Sequence, residues 1–401
     1  MSRFLFVVPP LAGHVNPTVG VAAALAGRGH QVAWAGVAEL VRPLVGAQAT
    51  VFGCAGPLLG DGGVGRPAGL RGPAALRFLW EGFLCPLAEA MVPGVQTAVE
   101  RFGPDVVVAD QQAVAGALVA ERAGLVWATS ATTSAELAGP LAGTPKVQAW
   151  LDGLLAGLRR RFGDPDAGGD LRFSPYLVVA FTTEALTGPS AGRVGGRVRF
   201  VGPSLAPRPG ADGFPWGWLD AGGPVALVSL GTVSAEVAGR FLGQCARAAH
   251  AGSGWRAVVV DPGGALGVVG GRVLVRRAVP QLRLLARVDA VVCHGGHNTV
   301  CEALAHGLPL VVAPIRDDQP IVAGQVVDAG TGVRLRFSRA TAAQIGAAVQ
   351  AVLTEPRYRQ AAQRVQQSFA AAGGAHAAAD HLEALAARSA HPPLAAEGAP
   401  R

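Results

Sequence analysis

Residues 290–304 read Ala290-Val291-Val292-Cys293-His294-Gly295-Gly296-His297-Asn298-Thr299-Val300-Cys301-Glu302-Ala303-Leu304. The apolar run 290–293 predicts a strand covered on both faces. His294-Gly295-Gly296 turns the chain, and a helix is predicted to begin near Asn298. A strand, a glycine turn and a helix N-terminus together form an anion site. Backbone N–H groups and the helix dipole converge there, and the glycines let a phosphate approach the backbone. His294, Gly295, Gly296, Asn298 and Thr299 are therefore candidate phosphate contacts, and Glu302, one turn further on, is a candidate partner for a ribose hydroxyl. Asn298 and Thr299 also suit the role of helix caps. Cys293, His294, His297 and Cys301 match no usual Cys/His ligand spacing, and neighbouring strand residues face opposite ways, so no metal site is expected.

Working outward, the same alternation of short apolar runs and longer helical stretches recurs along the chain. Strands are predicted at 3–8, 31–35, 106–109 and 125–128, with helices at about 17–27 and 113–123 between them. A second series follows at 224–230, 255–260, 272–275, 290–293 and 310–313. Strand–helix–strand units of this length imply parallel sheets covered on both faces, with ligands gathering at the strand C-terminal ends. Residues 203–215 hold four prolines and two glycines, a linker composition. The expected layout is a first Rossmann-like domain at 1–205, a linker at 206–222, a second Rossmann-like domain at 223–390 and a disordered tail at 391–401. The irregular segments 53–75 and 139–172 are candidate acceptor loops.

Composition narrows the function. A chain of 401 residues, 50% hydrophobic, has enough apolar material for two cores. No apolar stretch approaches the length of about 18 residues needed to span a membrane, and the early run 4–8 is too short for a signal peptide. The expectation is a soluble cytoplasmic protein without an integral membrane segment. Five scattered cysteines, an odd number, are not a disulfide framework. The net charge of +7 is carried almost wholly by arginine, with Lys146 the sole lysine. No basic run exceeds Arg159-Arg160-Arg161, expected to be a solvated helix face, so a nucleic-acid partner is not expected. A basic balance does attract anionic ligands.

Around the opening stretch stand Val279-Pro280-Gln281 upstream, then Gly307-Leu308-Pro309-Leu310-Val311 and Asp317-Asp318-Gln319-Pro320 downstream. In this order the blocks resemble the nucleotide-sugar signature of the GT1 glycosyltransferases, which include plant UDP-sugar enzymes and bacterial antibiotic glycosyltransferases. Near the N-terminus, Gly13-His14-Val15-Asn16-Pro17 is similar to the family's first loop, and Arg28-Gly29-His30 to its helix-to-strand turn. The resemblance implies a GT-B fold: two Rossmann-like α/β domains with parallel sheets facing a central cleft. It implies that His14 is the general base. The residues agree, because His14 follows the first strand on the ligand edge and an imidazole titrates near neutrality. Asp110, at the end of 106–109, is the candidate partner that orients it. By the same resemblance, Gly13, Ser229, Gly231 and Thr232 belong to donor-facing loops, Val279 and Gln281 lie beside the nucleobase, and Asp318 and Gln319 bind sugar hydroxyls. The sequence departs from the plant pattern at Ala278, where a tryptophan stacks on uracil, and at His297, where plant enzymes carry tryptophan and many bacterial ones methionine. Uridine and thymidine therefore both remain open.

The expected activity is metal-independent, inverting transfer of a sugar from a dTDP- or UDP-sugar to a hydroxyl of a hydrophobic, polyketide-like aglycone. The nucleotide sugar acts as co-substrate and no separate cofactor is expected. Alternatives are a lipid or carotenoid acceptor, a non-catalytic nucleotide-sugar-binding partner protein, and a GT-B epimerase. A homodimer is left open.

Overall fold

In the computed structural model, the described residues are 1–390 apart from 59–64, 66, 68–69, 71, 140, 142, 190–194, 209–212, 232–234, 252–253 and 268–269. Thr232 and the tail 391–401 thus lie outside the described residues. Two parallel sheets organise the chain. The first holds β1 Arg3–Val7, β2 Gln31–Gly36, β3 Thr50–Gly53, β4 Val106–Asp110, β5 Trp127–Ala131, β6 Val178–Ala180 and β7 Val198–Phe200. The second holds β8 Val225–Ser229, β9 Arg256–Val260, β10 Val273–Arg276, β11 Ala290–Cys293, β12 Leu310–Val312 and β13 Gly332–Arg334.

Their orders are β3-β2-β1-β4-β5-β6-β7 and β10-β9-β8-β11-β12-β13. Both sheets start in the middle, run to one edge, then return to extend the other side. Each therefore has a crevice where the order reverses, between β1 and β4 and between β8 and β11, at the strand C-terminal ends. All strand pairs are parallel, and the register Val292↔Val228 and Cys293↔Ser229 brings the two central loops of the second sheet together.

Strand β1 shows why these runs are apolar throughout. Phe4 and Phe6 point into one core with Leu25 and Trp34, while Leu5 and Val7 point into the other with Leu84, Leu87 and Met91. Both faces are covered by helices, so the alternation of polar and apolar residues is lost.

One helix starts earlier than the sequence predicts. The first helix spans Ala12–Gly27, with Pro17 inside it, rather than starting at Pro17. The C-terminal stretch forms three helices, Ala342–Thr354, Pro356–Ala372 and Gly374–Ala390. Phe369 and Val365 sit in the second core, but Ala378, Ala379 and Leu382 fill the first. The reversal occurs at Gly373, which ends the preceding helix at φ +84°. Residues 374–390, assigned from sequence to the second domain, thus pack on the first. Asp380 and Glu383 pair with Arg28 there, and Glu383 also meets His30 Nε2 at 2.7 Å.

The run Arg159–Arg161 is not a uniformly solvated face. Arg159 is buried against Glu121 at 3.0 Å, and Arg161 pairs with Glu89. No helix among the described residues is long and apolar enough to cross a membrane.

Candidate active site

A cleft of about 890 Å³ runs between the C-terminal edges of the two sheets. On the first-sheet side, His14 lies in the first turn of the helix after β1 and Asp110 is the last residue of β4. The neighbouring strands β1 and β4 thus bring His14 Nδ1 and Asp110 Oδ1, 96 positions apart in sequence, to 2.9 Å. Asp110 is buried, and its Oδ1 also accepts the backbone N–H of Gln112 at 2.8 Å. Thr132, just beyond β5, donates its hydroxyl to Asp110 Oδ2 at 2.7 Å and sits 2.7 Å from His14 Nδ1. With Nδ1 protonated toward Asp110, the lone pair of the imidazole is on Nε2.

The His14 side chain is 14% exposed, enough to be reached from the cleft it lines. Burial acts to lower its pKa, but the charge and hydrogen bond of Asp110 and the charge of Asp318 outweigh it. The imidazole is held above its ordinary value of 6.5.

Pro17 has a consequence for the opposite wall. It lacks the N–H that would bond the carbonyl of Gly13 within the helix. That carbonyl instead accepts Asn298 Nδ2–H from the second domain. The helix there spans His297–Ala305, capped at Gly296 without a side-chain bond, so Asn298 is not the cap its type suggested.

On the second-sheet side, Gly231, Val279, Gln281, His294, Gly296, Asn298, Thr299, Glu302, Asp318 and Gln319 line the cleft, and Gly13 faces them. Ser229 and Gly295 are buried behind this surface. His294 is wedged between two glycines: a Cβ at Gly296 would lie 2.6 Å from its Nε2, and one at Gly231 would lie 3.0 Å from its Cε1. Gly231 also holds φ +70°, so only glycine fits there without strain. Burial, then the charge of Arg316, depress His294 to about 4 despite a bond to the Ser229 backbone. His297, buried and near His14, is likewise lowered to about 4. Both are neutral at pH 7.

Three expected contacts have protein partners of their own. Glu302 is buried, accepting from Arg208 on one oxygen and from Gln281 Nε2 at 2.7 Å on the other. Gln319 Oε1 closes a turn by accepting the N–H groups of Ile315 and Arg316, leaving its amide nitrogen for other partners. Asp318 Oδ2 accepts the Thr133 hydroxyl from the first domain at 2.6 Å. Burial raises the Asp318 pKa, with Asp317 adding to the effect, while Thr133 and His14 counter it.

Sequence reasoning missed Thr132, Thr133, Ser134 and Arg208. A run of three hydroxyl residues at the end of a strand was a usable signal. Arg208 was hidden inside linker composition. The same cleft is also lined by Leu76, Leu79, Trp80, Leu141, Leu151 and, as polar members, Glu136 and Arg172. No group of three or more potential metal ligands occurs among the described residues.

Residues 261–385 match the family described as Erythromycin biosynthesis protein CIII-like, C-terminal domain. The chain is 33% identical to 4'-demethylrebeccamycin synthase of Lentzea aerocolonigenes, over 96% of this chain and 99% of that protein. It is 31% identical to demethyllactenocin mycarosyltransferase of Streptomyces fradiae, over 96% of this chain and 87% of that protein. Among solved structures, the glycotransferase of kitacinnamycin matches with a TM-score of 0.75 at 27% identity, covering 96% of this chain and 98% of that one. With two parallel-sheet domains and the site at both switch points, the chain belongs to the GT-B glycosyltransferase family that includes these enzymes.

Proposed function

We propose that the enzyme transfers a sugar, with inversion, from a dTDP- or UDP-sugar to a hydroxyl of a hydrophobic small-molecule natural product. The observation that carries this reading is the His14–Asp110 pair facing, across one cleft, the glycine turn and helix N-terminus at His294–Thr299. His14 Nε2 takes the acceptor proton as the acceptor oxygen attacks the anomeric carbon, and Asp110 stabilises the imidazolium that forms. The bond from the anomeric carbon to the diphosphate oxygen breaks, and negative charge grows on the leaving group. The N–H groups near Gly296, Asn298 and Thr299 meet that charge without reorganising, with the neutral ring of His294 packed beside them. Arg208, Arg283 and Arg316 line the same side of the cleft and add positive potential. Asp318 and the amide nitrogen of Gln319 face the sugar, while Val279 and Gln281 face the base. Apolar residues Leu76, Leu79, Trp80, Leu141 and Leu151 suit a ring-bearing aglycone. Closure of the domains excludes water, the competing acceptor.

A thermal-shift screen against UDP, dTDP, GDP and ADP tests the donor half, since a ligand that binds only the folded state raises its melting point. The expected result is stabilisation by dTDP or UDP and none by GDP or ADP; the reverse would overturn the donor assignment. Isomerisation of a nucleotide sugar with no acceptor present would favour an epimerase instead. Burial of Arg159 against Glu121 removes a cation from the surface that a lipid-bound acceptor would need.

A further inference from the structure

Beyond β5 the chain runs Thr132-Thr133-Ser134, three hydroxyl side chains in succession, all buried. Each reaches a different partner. Thr132 meets the His14–Asp110 pair, Thr133 meets Asp318, and Ser134 donates to Gln325 Oε1 at 2.6 Å while lying 3.2 Å from His297 Nδ1. We propose that Thr132 and Thr133 are positioning residues, one holding the base and the other holding the carboxylate that reads the sugar, so that a single backbone step sets the two in register. The proposal rests on the reading of His14 as base and Asp318 as sugar contact.

The hydrogen-bond inventory supports holding rather than substrate contact. A threonine hydroxyl has one proton to give. That of Thr132 goes to Asp110 Oδ2 and that of Thr133 to Asp318 Oδ2, so neither has a proton left for a ligand. At Asp110 the consequence is a carboxylate fixed in its plane. Oδ1 is taken by His14 and the Gln112 N–H, and Oδ2 by Thr132. The Thr132 oxygen also faces the Nδ1–H of His14, so the imidazole is gripped from two directions in one tautomer. Removing that hydroxyl would leave a buried carboxylate oxygen without its donor. At Asp318 the bond crosses the cleft. The orientation of a second-domain carboxylate is set by a first-domain side chain, and the sugar subsite is complete only with both domains in contact.

Two measurements on the full chain test this. Histidine ¹⁵N NMR reads the His14 tautomer and its titration, with the signal assigned by its loss in His14→Ala. Wild type and Thr132→Ser are expected to show a single Nδ1–H tautomer, and Thr132→Val a mixture with a shifted titration. An unchanged tautomer and titration in Thr132→Val, or a disturbed one in Thr132→Ser, would overturn the role of Thr132. For Thr133, binding of UDP and dTDP is compared with that of UDP-glucose and dTDP-glucose. Thr133→Val is expected to change the affinity increment due to the sugar by about threefold or more, the scale of one lost hydrogen bond, with bare nucleotide affinity unchanged. Thr133→Ser should restore it. An unchanged increment in Thr133→Val, or equal loss of nucleotide and nucleotide-sugar binding, would overturn it. The serine variants keep the hydroxyl at little cost in packing, and where a valine variant fails to fold, Thr132→Ala or Thr133→Ala removes the hydroxyl without added bulk and is read by the same outcomes. Transfer retained by His14→Ala would instead refute the base itself, independently of the threonines.

Discussion

His14 and His294 both stand at a crevice where the sheet order reverses, but on opposite sides of it: His14 follows β1, the counterpart of β8, and His294 follows β11, the counterpart of β4. Their surroundings push them in opposite directions. His14 faces Asp110, with Asp318 nearby, and is held above its ordinary pKa; His294 is half-buried near Arg316 and falls to about 4. One environment makes a proton acceptor with a carboxylate to stabilise its cation. The other makes a neutral ring beside an anion site. Residue type and a seat at the switch-point crevice are shared, and the difference in chemistry comes from partner charge and packing.

The strongest way to break this contrast is to remove the base. His14→Ala should lower transfer by about 10²- to 10⁴-fold while leaving UDP or dTDP affinity near wild type. Full turnover in that variant would end the assignment. On the opposite edge, Gly296→Ala places a methyl group 2.6 Å from His294 Nε2. The ring must shift, at a cost of about 1–3 kcal/mol in overpacking. Calorimetry with dTDP and UDP should then show affinity reduced by about tenfold, with His14 still titrating as in wild type; unaltered nucleotide binding would show that His294 does not shape the anion site.

Acidification separates the two histidines by sign. A base must be unprotonated, so a raised His14 pKa puts the acid limb of kcat/KM above pH 6.5, and Asp110→Asn should move that limb downward. A limb at or below 6.5 in the wild type would contradict the coupling. For stability, the His14 contribution is complete below 6.5 and is lost as pH rises through its higher folded value. His294 and His297 act the other way. The unfolded chain takes up their protons near 6.5 while the folded one resists to about 4, so they destabilise the fold progressively as pH falls across that window. Melting curves from pH 8 to 4 on His297→Gln and the wild type read the second effect directly, the variant being the less acid-sensitive.

The smallest effect is expected at the linker. Arg208 is partly exposed, but its partner Glu302 is buried. Arg208→Met should weaken nucleotide affinity by about two- to tenfold, with strong salt dependence lost. A tighter-binding variant would instead make the ion pair an obstacle that the nucleotide has to displace.

The two edges also differ in how they could be read. The donor wall is local: residues 279–319 supply most of it, and strand, glycine turn and helix start are short-range features. Even there, single roles shifted. Asn298 has the composition of a cap, yet its amide bonds Gly13, because Pro17 leaves that carbonyl free. Glu302 suited a ribose hydroxyl, yet Arg208 and Gln281 occupy its oxygens. Nothing within a few residues of Glu302 encodes an arginine 94 positions away.

Apolar periodicity and glycine turns, which act over a few residues, were enough to predict parallel α/β domains and a cleft at their strand ends, while the pairing of His14 with Asp110 was implied by the family resemblance and by their places at strand ends. Tertiary structure alone decided what depends on contacts between distant segments. It brought Thr132 onto the dyad and Thr133 onto Asp318, and it returned residues 374–390 to the first core. It also drove the pKa values of His14 and His294 apart. Burial and charge proximity are sums over neighbours in space, and those neighbours exist only once the sheets have formed.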